Sequence, residues 1–240
     1  MASAAALGTF QKNPTNITYT LGQKLDSRLN STPTPIVFLI GDDISEQDSL
    51  KSLTNREGWE FETFESAREF LARPRPLVPS CLVLDVSLPD LNALDLQKRI
   101  AVERSGMPII FISGRGDIRT TVEAMKAGAV DFLVKPFSNE VLLRSIRESL
   151  ERSRVALDRE VALRDLRDSY ASLTPRERQV MALVVSGLLN KQVAWELGIG
   201  ESTIKAHRGQ VMQKMKANSL AELVKIASTL DPAGGAIHLA

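Results

Sequence analysis

The sequence predicts a doubly wound α/β domain with a five-stranded parallel sheet, followed by a small all-α domain of four helices. From Pro35 onward, short apolar runs typical of buried parallel strands alternate with helical stretches. A long helical segment follows without a clear stop signal, and after it come short helices with no further strand pattern. Alternating strands and helices favour a parallel sheet, whereas the last helices favour a separate bundle.

Five runs of β-forming residues define the strands of the first domain, and each is followed by a helical stretch. The predicted strands are Ile36–Ile40, Glu60–Phe64, Cys81–Leu84, Ile109–Ile112 and Asp131–Val134. The predicted helices are Glu46–Arg56, Ala67–Leu71, Ala93–Glu103, Ile118–Lys126 and one that opens at Asn139. Ser45-x-x-Asp48 and Ser66-x-x-Glu69 have the spacing of caps at helix starts.

The helix from Asn139 shows no obvious end, because an apolar stripe with mixed charges between its members continues to about Ser169. Leu143, Leu150 and Leu157 are seven residues apart. We interpret Leu150 to Ser169 as a helical linker. It either pairs with a second copy as a short coiled coil or remains a solvated spacer helix.

A sharp boundary marks the start of the last domain. Thr174 as N-cap, Pro175 at the first helical position and Glu177 three residues after the cap make a capping box. The four predicted helices are Pro175–Val185, Asn190–Leu197, Glu201–Lys216 and Ser219–Ser228.

The composition and the distribution of charge limit the classes of function that fit this chain. The chain has 240 residues, of which 43% are hydrophobic and 25% charged, as in a globular protein of one or two domains. Residues 171–240 carry eight lysines and arginines against five acids, whereas residues 34–170 have a net charge of −4. This distribution fits phosphate or metal chemistry followed by nucleic-acid contact, although ordinary surface scatter gives a similar pattern.

Several classes are excluded by what the sequence lacks. One cysteine, Cys81, and two histidines exclude a disulfide framework and a Cys- or His-rich metal site. No apolar stretch approaches the length of a membrane span, and the start lacks the pattern of a signal peptide. We therefore expect a cytoplasmic protein with no membrane contact.

Polar residues follow four of the five predicted strands at the point where each strand ends. They are Asp42-Asp43, Asp85, Ser113 and Lys135-Pro136. Ligands of open α/β sheets bind at the carboxyl ends of the strands. Acids, a hydroxyl and a lysine that converge there are suited to holding a divalent cation and accepting a phosphoryl group.

This ordered set resembles the receiver domain of bacterial two-component response regulators, a flavodoxin-like fold. The resemblance covers about Pro35 to Leu150 and is strong in Ser113–Asp117 and Ala124–Phe137. The spacings agree as well: 43 residues separate Asp42 from Asp85, 28 separate Asp85 from Ser113, and 22 separate Ser113 from Lys135.

The resemblance implies a role for each of these residues. Asp85 would be the phosphoacceptor, Lys135 would pair with the phosphoryl oxygens, and Ser113 would move to hydrogen-bond the phosphoryl group. Phe132 would be the aromatic switch that accompanies activation. Pro136 would follow a cis peptide bond.

The same resemblance implies a Mg²⁺ site. Its ligands would be Asp42, Asp85 and the backbone carbonyl of Ser87. One departure affects this site, because Gly41 stands where the family generally has a first acid. Asp43 falls one place late and is included as a candidate ligand that compensates for this loss.

The segment from Leu173 to about Ser228 resembles the LuxR-type helix-turn-helix domain of the NarL/FixJ subfamily. The resemblance is carried by Leu173–Val180, Asn190–Ala194 and Leu197–Arg208. It implies that the helix Glu201–Lys216 enters the major groove of double-stranded DNA. The implied base-facing positions are Lys205, Ala206 and Gly209 with Arg208 nearby, and the implied phosphate contacts are Thr203, His207 and Lys191.

Together these features predict a transcription factor controlled by phosphorylation. A sensor histidine kinase would phosphorylate Asp85, and the phosphorylated protein would dimerise and bind promoter DNA, with RNA polymerase as a further candidate partner. No enzymatic activity is expected beyond assistance to its own phosphorylation and dephosphorylation. The predicted organisation is an N-terminal tail (1–34), receiver (35–150), linker (151–169), DNA-binding domain (170–230) and C-terminal tail (231–240).

Two alternatives remain open from the sequence. Gly41 could mark an atypical receiver that binds DNA without phosphorylation. A phosphohydrolase with an aspartate nucleophile also has a doubly wound sheet, an Asp and a Lys. Such an enzyme requires a second Asp two residues after the nucleophile, where this chain has Ser87.

Overall fold

The computed structural model describes residues 33–86, 93–114 and 116–231. The chain divides into two compact units, one formed by residues up to Gln97 together with Ile109–Ile146, the other by Lys98–Pro108 together with all residues from Arg147. Nearly all of the two predicted tails, 1–34 and 231–240, lies outside the described residues.

The first unit is built around a parallel sheet with the strand order β2-β1-β3-β4-β5. This confirms the predicted doubly wound sheet. Three strands are buried along their whole length, which explains why their sequences are continuous apolar runs instead of alternating patterns. The strands are β1 (Ile36–Ile40), β2 (Glu60–Phe64), β3 (Ser80–Asp85), β4 (Ile109–Ser113) and β5 (Asp131–Val134).

Helices follow each strand, as predicted. Their bounds are α1 (Ile44–Glu57), α2 (Ala67–Ala72), α3 (Ala93–Glu103), α4 (Ile118–Lys126) and α5 (Asn139–Ala171). The expectation that the last of these continues without a stop is confirmed, since α5 is one helix of 33 residues. Exposed ion pairs three or four residues apart along its surface, such as Arg152 with Glu148 and Arg154 with Glu151, support the helical conformation.

The start of α1 differs from the prediction. Asp43 caps this helix, because its carboxylate accepts hydrogen bonds from the backbone N–H groups of Ser45 at 2.9 Å and Glu46 at 3.3 Å. The expectation that Ser45 is the cap was therefore wrong. The predicted cap at Ser66 is confirmed, since its hydroxyl accepts the N–H of Glu69.

The second unit contains the predicted bundle, with α6 (Pro175–Val185), α7 (Asn190–Leu197), α8 (Glu201–Lys214) and α9 (Leu220–Leu230). The capping box of Thr174 and Glu177 is present. Helix α8 ends two residues earlier than predicted, because Lys216 adopts a positive φ of 54° that does not continue a helix. Side chains from all four helices form its core, including Val180, Val193, Ile204, Val211 and Leu223. None of the described helices combines the length and the apolar character of a membrane span.

Candidate functional site

Asp85 and Lys135 meet at the carboxyl edge of the sheet. Asp85 is the last residue of β3, and its side chain is 5% exposed. Lys135 follows β5 directly, and its Nζ donates a hydrogen bond to Oδ2 of Asp85 at 2.8 Å. The Lys135–Pro136 peptide bond is cis, as the resemblance implied. The structure thus places the candidate nucleophile and the candidate phosphoryl-binding cation in direct contact.

A second carboxylate, which sequence reasoning missed, binds the same ammonium group. Nζ of Lys135 also donates to Oε2 of Glu46 at 3.0 Å, and the Glu46 side chain is 13% exposed. Glu46 lies in the first turn of α1, 89 residues before Lys135. The sequence held one signal of its placement, since Asp43-x-x-Glu46 has the spacing of an acidic helix start.

The contact changes the pKa of Glu46 and the pKa of Lys135. Burial raises the pKa of Glu46, the hydrogen bond and charge of Lys135 lower it, and the charges of Asp85 and Asp43 raise it again, with a net upward shift. Burial disfavours the ammonium form of Lys135, but the hydrogen bonds and charges of Asp85 and Glu46 outweigh burial and raise its pKa. Lys135 is therefore a fixed cation at physiological pH.

Ser113 lies on β4, the strand next to that of Asp85, and Phe132 lies on β5, one strand further along the sheet. In the sheet register Asp85 is paired with Ile112, the neighbour of Ser113, so the buried Ser113 ends β4 next to the end of β3. The carbonyl oxygen of Ser113 accepts the backbone N–H of Lys135 at 2.8 Å. Phe132 in β5 is half-buried and its ring centroid is 6.0 Å from that of Phe111. The two candidate switch residues thus lie on the strands that carry Lys135 and border Asp85.

The candidate metal ligands are less well assembled. Asp42 is exposed at the end of β1, Asp43 uses its carboxylate to cap α1, and Ser87 lies outside the described residues. Within the described ranges, no three His, Cys, Asp or Glu side chains form a group that could hold a metal ion. The carboxylates of Asp85 and Glu46 do share one bound cation, the Lys135 ammonium. Because Mg²⁺ binds through one or two carboxylates and keeps several waters, the donor chemistry of this edge fits that ion.

In the second unit, α8 presents the residues that the resemblance assigned to DNA. Its apolar side, with Ile204 and Val211, is buried in the core. Five of the seven candidate DNA-binding residues are exposed, and His207 and Arg208 are half-buried. The exposed five are Lys191, Thr203, Lys205, Ala206 and Gly209.

Two basic side chains of α8 already have partners within the domain. Nζ of Lys205 lies 3.5 Å from Oε1 of Glu201, one turn earlier in the same helix. Arg208 donates to Oδ1 of Asn190 at 3.0 Å, which connects α8 to the first residue of α7. The outer face of α8 therefore carries basic side chains, and two of them, Lys205 and Arg208, contact oxygen atoms of the same domain.

Comparison with known proteins assigns both units. Residues 37–147 match the response regulator receiver domain, and residues 171–227 match the bacterial regulatory proteins of the luxR family. Nodulation protein W of Bradyrhizobium diazoefficiens is 50% identical over 195 residues, which cover 81% of this chain and 86% of that protein. The chain belongs to the two-component response regulators with a LuxR-type DNA-binding domain.

Other members of the family are similar over the same length. Response regulator protein TmoT of Ectopseudomonas mendocina is 42% identical, covering 81% of this chain and 89% of that protein. Transcriptional regulatory protein FixJ of Bradyrhizobium diazoefficiens is 41% identical, covering 80% and 93%. The solved structure of response regulator StyR superposes with a TM-score of 0.72 at 42% identity, covering 81% of this chain and 98% of that one.

Membership of this family confirms the predicted fold class and function. This response regulator is a transcriptional regulator, and its two domains imply a sensor kinase as partner and binding to DNA. Receiver domains typically bind Mg²⁺ at the site of phosphorylation. The comparisons favour neither of the alternative functions considered from the sequence.

Proposed function

We propose that Asp85 of this response regulator accepts a phosphoryl group from its sensor kinase. The observation that supports this most strongly is the buried Asp85 carboxylate at the end of β3 with the Lys135 ammonium on its Oδ2. A carboxylate oxygen can attack phosphorus in line, while Lys135 neutralises charge on the phosphoryl oxygens and the Ser113 hydroxyl donates to one of them. The reactions proposed for this protein are its own phosphorylation and dephosphorylation.

The residues proposed to hold Mg²⁺ at this edge are Asp42, Asp85 and the carbonyl of Ser87. The ion would supply positive charge that offsets the charge of the incoming phosphoryl group. Asp43 is the weaker candidate of the acidic pair, because its carboxylate stabilises the start of α1.

Dimerisation is proposed through the face formed by α4 and β5. Ile118, Val122 and Met125 recur at positions i, i+4 and i+7 of α4, and all three are exposed, Ile118 to 80%. Val134 at the end of the neighbouring β5 is exposed as well. A cluster of exposed apolar side chains on one face is typical of a protein–protein interface, whereas isolated ones are ordinary.

The output is proposed to be DNA binding by α8 in the major groove. Lys205, Ala206 and Gly209 would face the bases, with Arg208 beside them, because they lie on the exposed side of the helix. Two copies brought together by the receiver (35–150) would place two such helices on half-sites about one helical turn apart. The linker (151–169) would join the receiver to the DNA-binding domain (170–230). The phosphate contacts would come from Thr203, His207 and Lys191.

The proposed phosphoacceptor is tested by intact-mass spectrometry of the full chain after incubation with Mg²⁺ and acetyl phosphate. We expect one phosphoryl adduct on the wild type and on Asp48→Asn, which replaces an exposed carboxylate of α1. We expect none on Asp85→Asn, which keeps the size of the side chain. An adduct that persists in Asp85→Asn would show that another residue is phosphorylated.

The proposed dimer face is tested by sedimentation of the same phosphorylated samples. Val122→Glu should remain a monomer after phosphorylation, because a buried unpaired charge opposes association. Val102→Glu places the same charge on an equally apolar residue that is 83% exposed on α3 and should dimerise like the wild type. Equal dimerisation of both variants would place the interface elsewhere.

A further inference from the structure

Two largely buried carboxylates share one ammonium group at the phosphorylation site. Asp85 and Glu46 accept hydrogen bonds from Nζ of Lys135 at 2.8 Å and 3.0 Å. Their side chains are 5% and 13% exposed, so both charges are largely removed from water. Both carboxylates therefore contact a single cationic group at this edge of the sheet.

Two neighbours of Glu46 in sequence, Gly41 and Asp43, do not supply this carboxylate. Gly41 has no side chain, although a Cβ built there would lie 3.7 Å from Cβ of Asp85, at ordinary contact distance. The backbone thus leaves room beside Asp85 that no carboxylate fills from this position. Asp43 accepts hydrogen bonds from the N–H groups of Ser45 and Glu46, which holds its carboxylate at the helix start. The carboxylate of Glu46, by contrast, accepts a hydrogen bond from the same Lys135 ammonium that is bound to Asp85.

We propose that Glu46 supplies a carboxylate to the divalent-cation site of Asp42 and Asp85, in place of the side chain that Gly41 lacks. This inference rests on the proposed function, since it concerns the cation of the same site. An oxygen ligand on the first turn of α1 suits a divalent cation, which takes its ligands from carboxylate, carbonyl and water oxygens. Lys135 would then be free to turn from Glu46 to the phosphoryl oxygens.

The test measures cation affinity in the absence of any phosphoryl donor. Mn²⁺ is titrated into the full chain, and the free ion is followed by electron paramagnetic resonance. Glu46→Gln keeps the size of the side chain and should raise the Kd for Mn²⁺ roughly tenfold or more, as loss of a supporting group at a metal site does. Asp48→Asn removes one charge from the exposed side of the same helix and should leave the Kd within about twofold. The double variant Glu46→Gln with Gly41→Asp should recover most of the affinity.

Each other outcome overturns the inference. An unchanged Kd in Glu46→Gln, even with slower phosphorylation, would show that Glu46 only orients Lys135. Equal weakening by Asp48→Asn would show a general effect of charge. Circular dichroism of each variant checks that the chain is folded, and the recovery in the double variant separates lost ligation from damage to the fold. Failure of the proposed function is recognised separately, because the wild type would then gain no adduct at Asp85 whatever its affinity for Mn²⁺.

Discussion

The ion pair between Glu177 and Lys214 should be a major stabilising contact of the DNA-binding domain. Oε2 of Glu177 accepts hydrogen bonds from Nζ of Lys214 at 2.7 Å and from the backbone N–H of Thr174 at 2.8 Å. The contact joins the start of α6 to the end of α8, the proposed recognition helix. Glu177→Gln removes the charge from this contact, while the amide oxygen of the new side chain can still accept the N–H of Thr174.

The geometry and the burial of the two side chains determine how much this substitution should lower the free energy of unfolding. A hydrogen bond to a charged group contributes about 1.5–3 kcal/mol, and removing one member of a fully buried pair costs about 3–5 kcal/mol. Glu177 is 7% exposed, but Lys214 is 30% exposed and recovers some hydration when its partner is lost. We therefore expect Glu177→Gln to lower the free energy of unfolding of this domain by about 2 kcal/mol.

This loss of stability is measured by urea-dependent hydrogen exchange of the full chain, with mass spectrometry of peptides from α6 and α8. The pH dependence gives a second, independent readout. The hydrogen bond from Lys214, followed by that from Thr174, lowers the pKa of Glu177 in the folded state despite the opposing effect of burial. A lowered carboxyl pKa contributes stability that is complete above the unfolded pKa of about 4.3 and is lost as the pH falls through the folded pKa. The difference between wild type and variant should therefore shrink below about pH 4.

Glu222→Gln is the matched control. Glu222 also accepts a backbone N–H near a helix start, that of Asn218 at 2.8 Å, but it is exposed and no lysine is paired with it among the described contacts. Its substitution should cost less than about 0.5 kcal/mol. A cost of Glu177→Gln no greater than that of this control, or an effect that is the same at pH 3 and pH 7, would show that the buried ion pair does not stabilise the domain.

Three further substitutions test other parts of the structure. Asn190→Ala should weaken binding to a target promoter several-fold in a fluorescence anisotropy titration, because Arg208 loses the oxygen that orients it; unchanged affinity would mean that Arg208 is oriented by DNA itself. Gly209→Ala should stabilise α8 by up to about 1 kcal/mol, since the added methyl group meets open space within the domain, while any loss of DNA affinity would show that DNA approaches closely there. Gly106→Ala should lower the melting temperature more than Gly128→Ala, because both have positive φ but only the first places a Cβ 2.8 Å from Cβ of Ala156; equal shifts would argue against this contact.

Strand positions could be predicted from the sequence because burial on both faces leaves a local signature. β1 and β4 are apolar at nearly every position, and a polar residue follows each apolar run within two residues. The contact of Asp85 with Lys135 followed from the rule that parallel strands end at one edge. Helix starts with a clear cap, such as Thr174 with Glu177, could be predicted in the same way.

Glu46 was missed because its role depends on a contact between distant segments. Its side chain reaches the site only because α1 begins at Ile44, and that start is fixed by the carboxylate of Asp43. With the cap expected at Ser45, the expected helix begins at Glu46, two residues after the observed start at Ile44. Glu46 was therefore expected as the first residue of the helix and not as the third. The partner of Glu46 is Lys135, 89 residues away, and no local pattern encodes such a pairing.

The pairing of Lys205 with Glu201 has a consequence for how DNA binding responds to ionic strength. A lysine that neutralises a phosphate releases counterions, and each such contact steepens the dependence of log K on log salt by about 0.9. In the proposed complex Lys205 would leave Glu201 for the major groove, where its charge also acts on the DNA phosphates, and the freed carboxylate would recruit a cation that offsets part of this release. Binding at this position is thus an exchange of partners, and the salt dependence of the complex should be shallower than a count of basic residues on α8 suggests. Glu201→Gln would remove the exchange and steepen it.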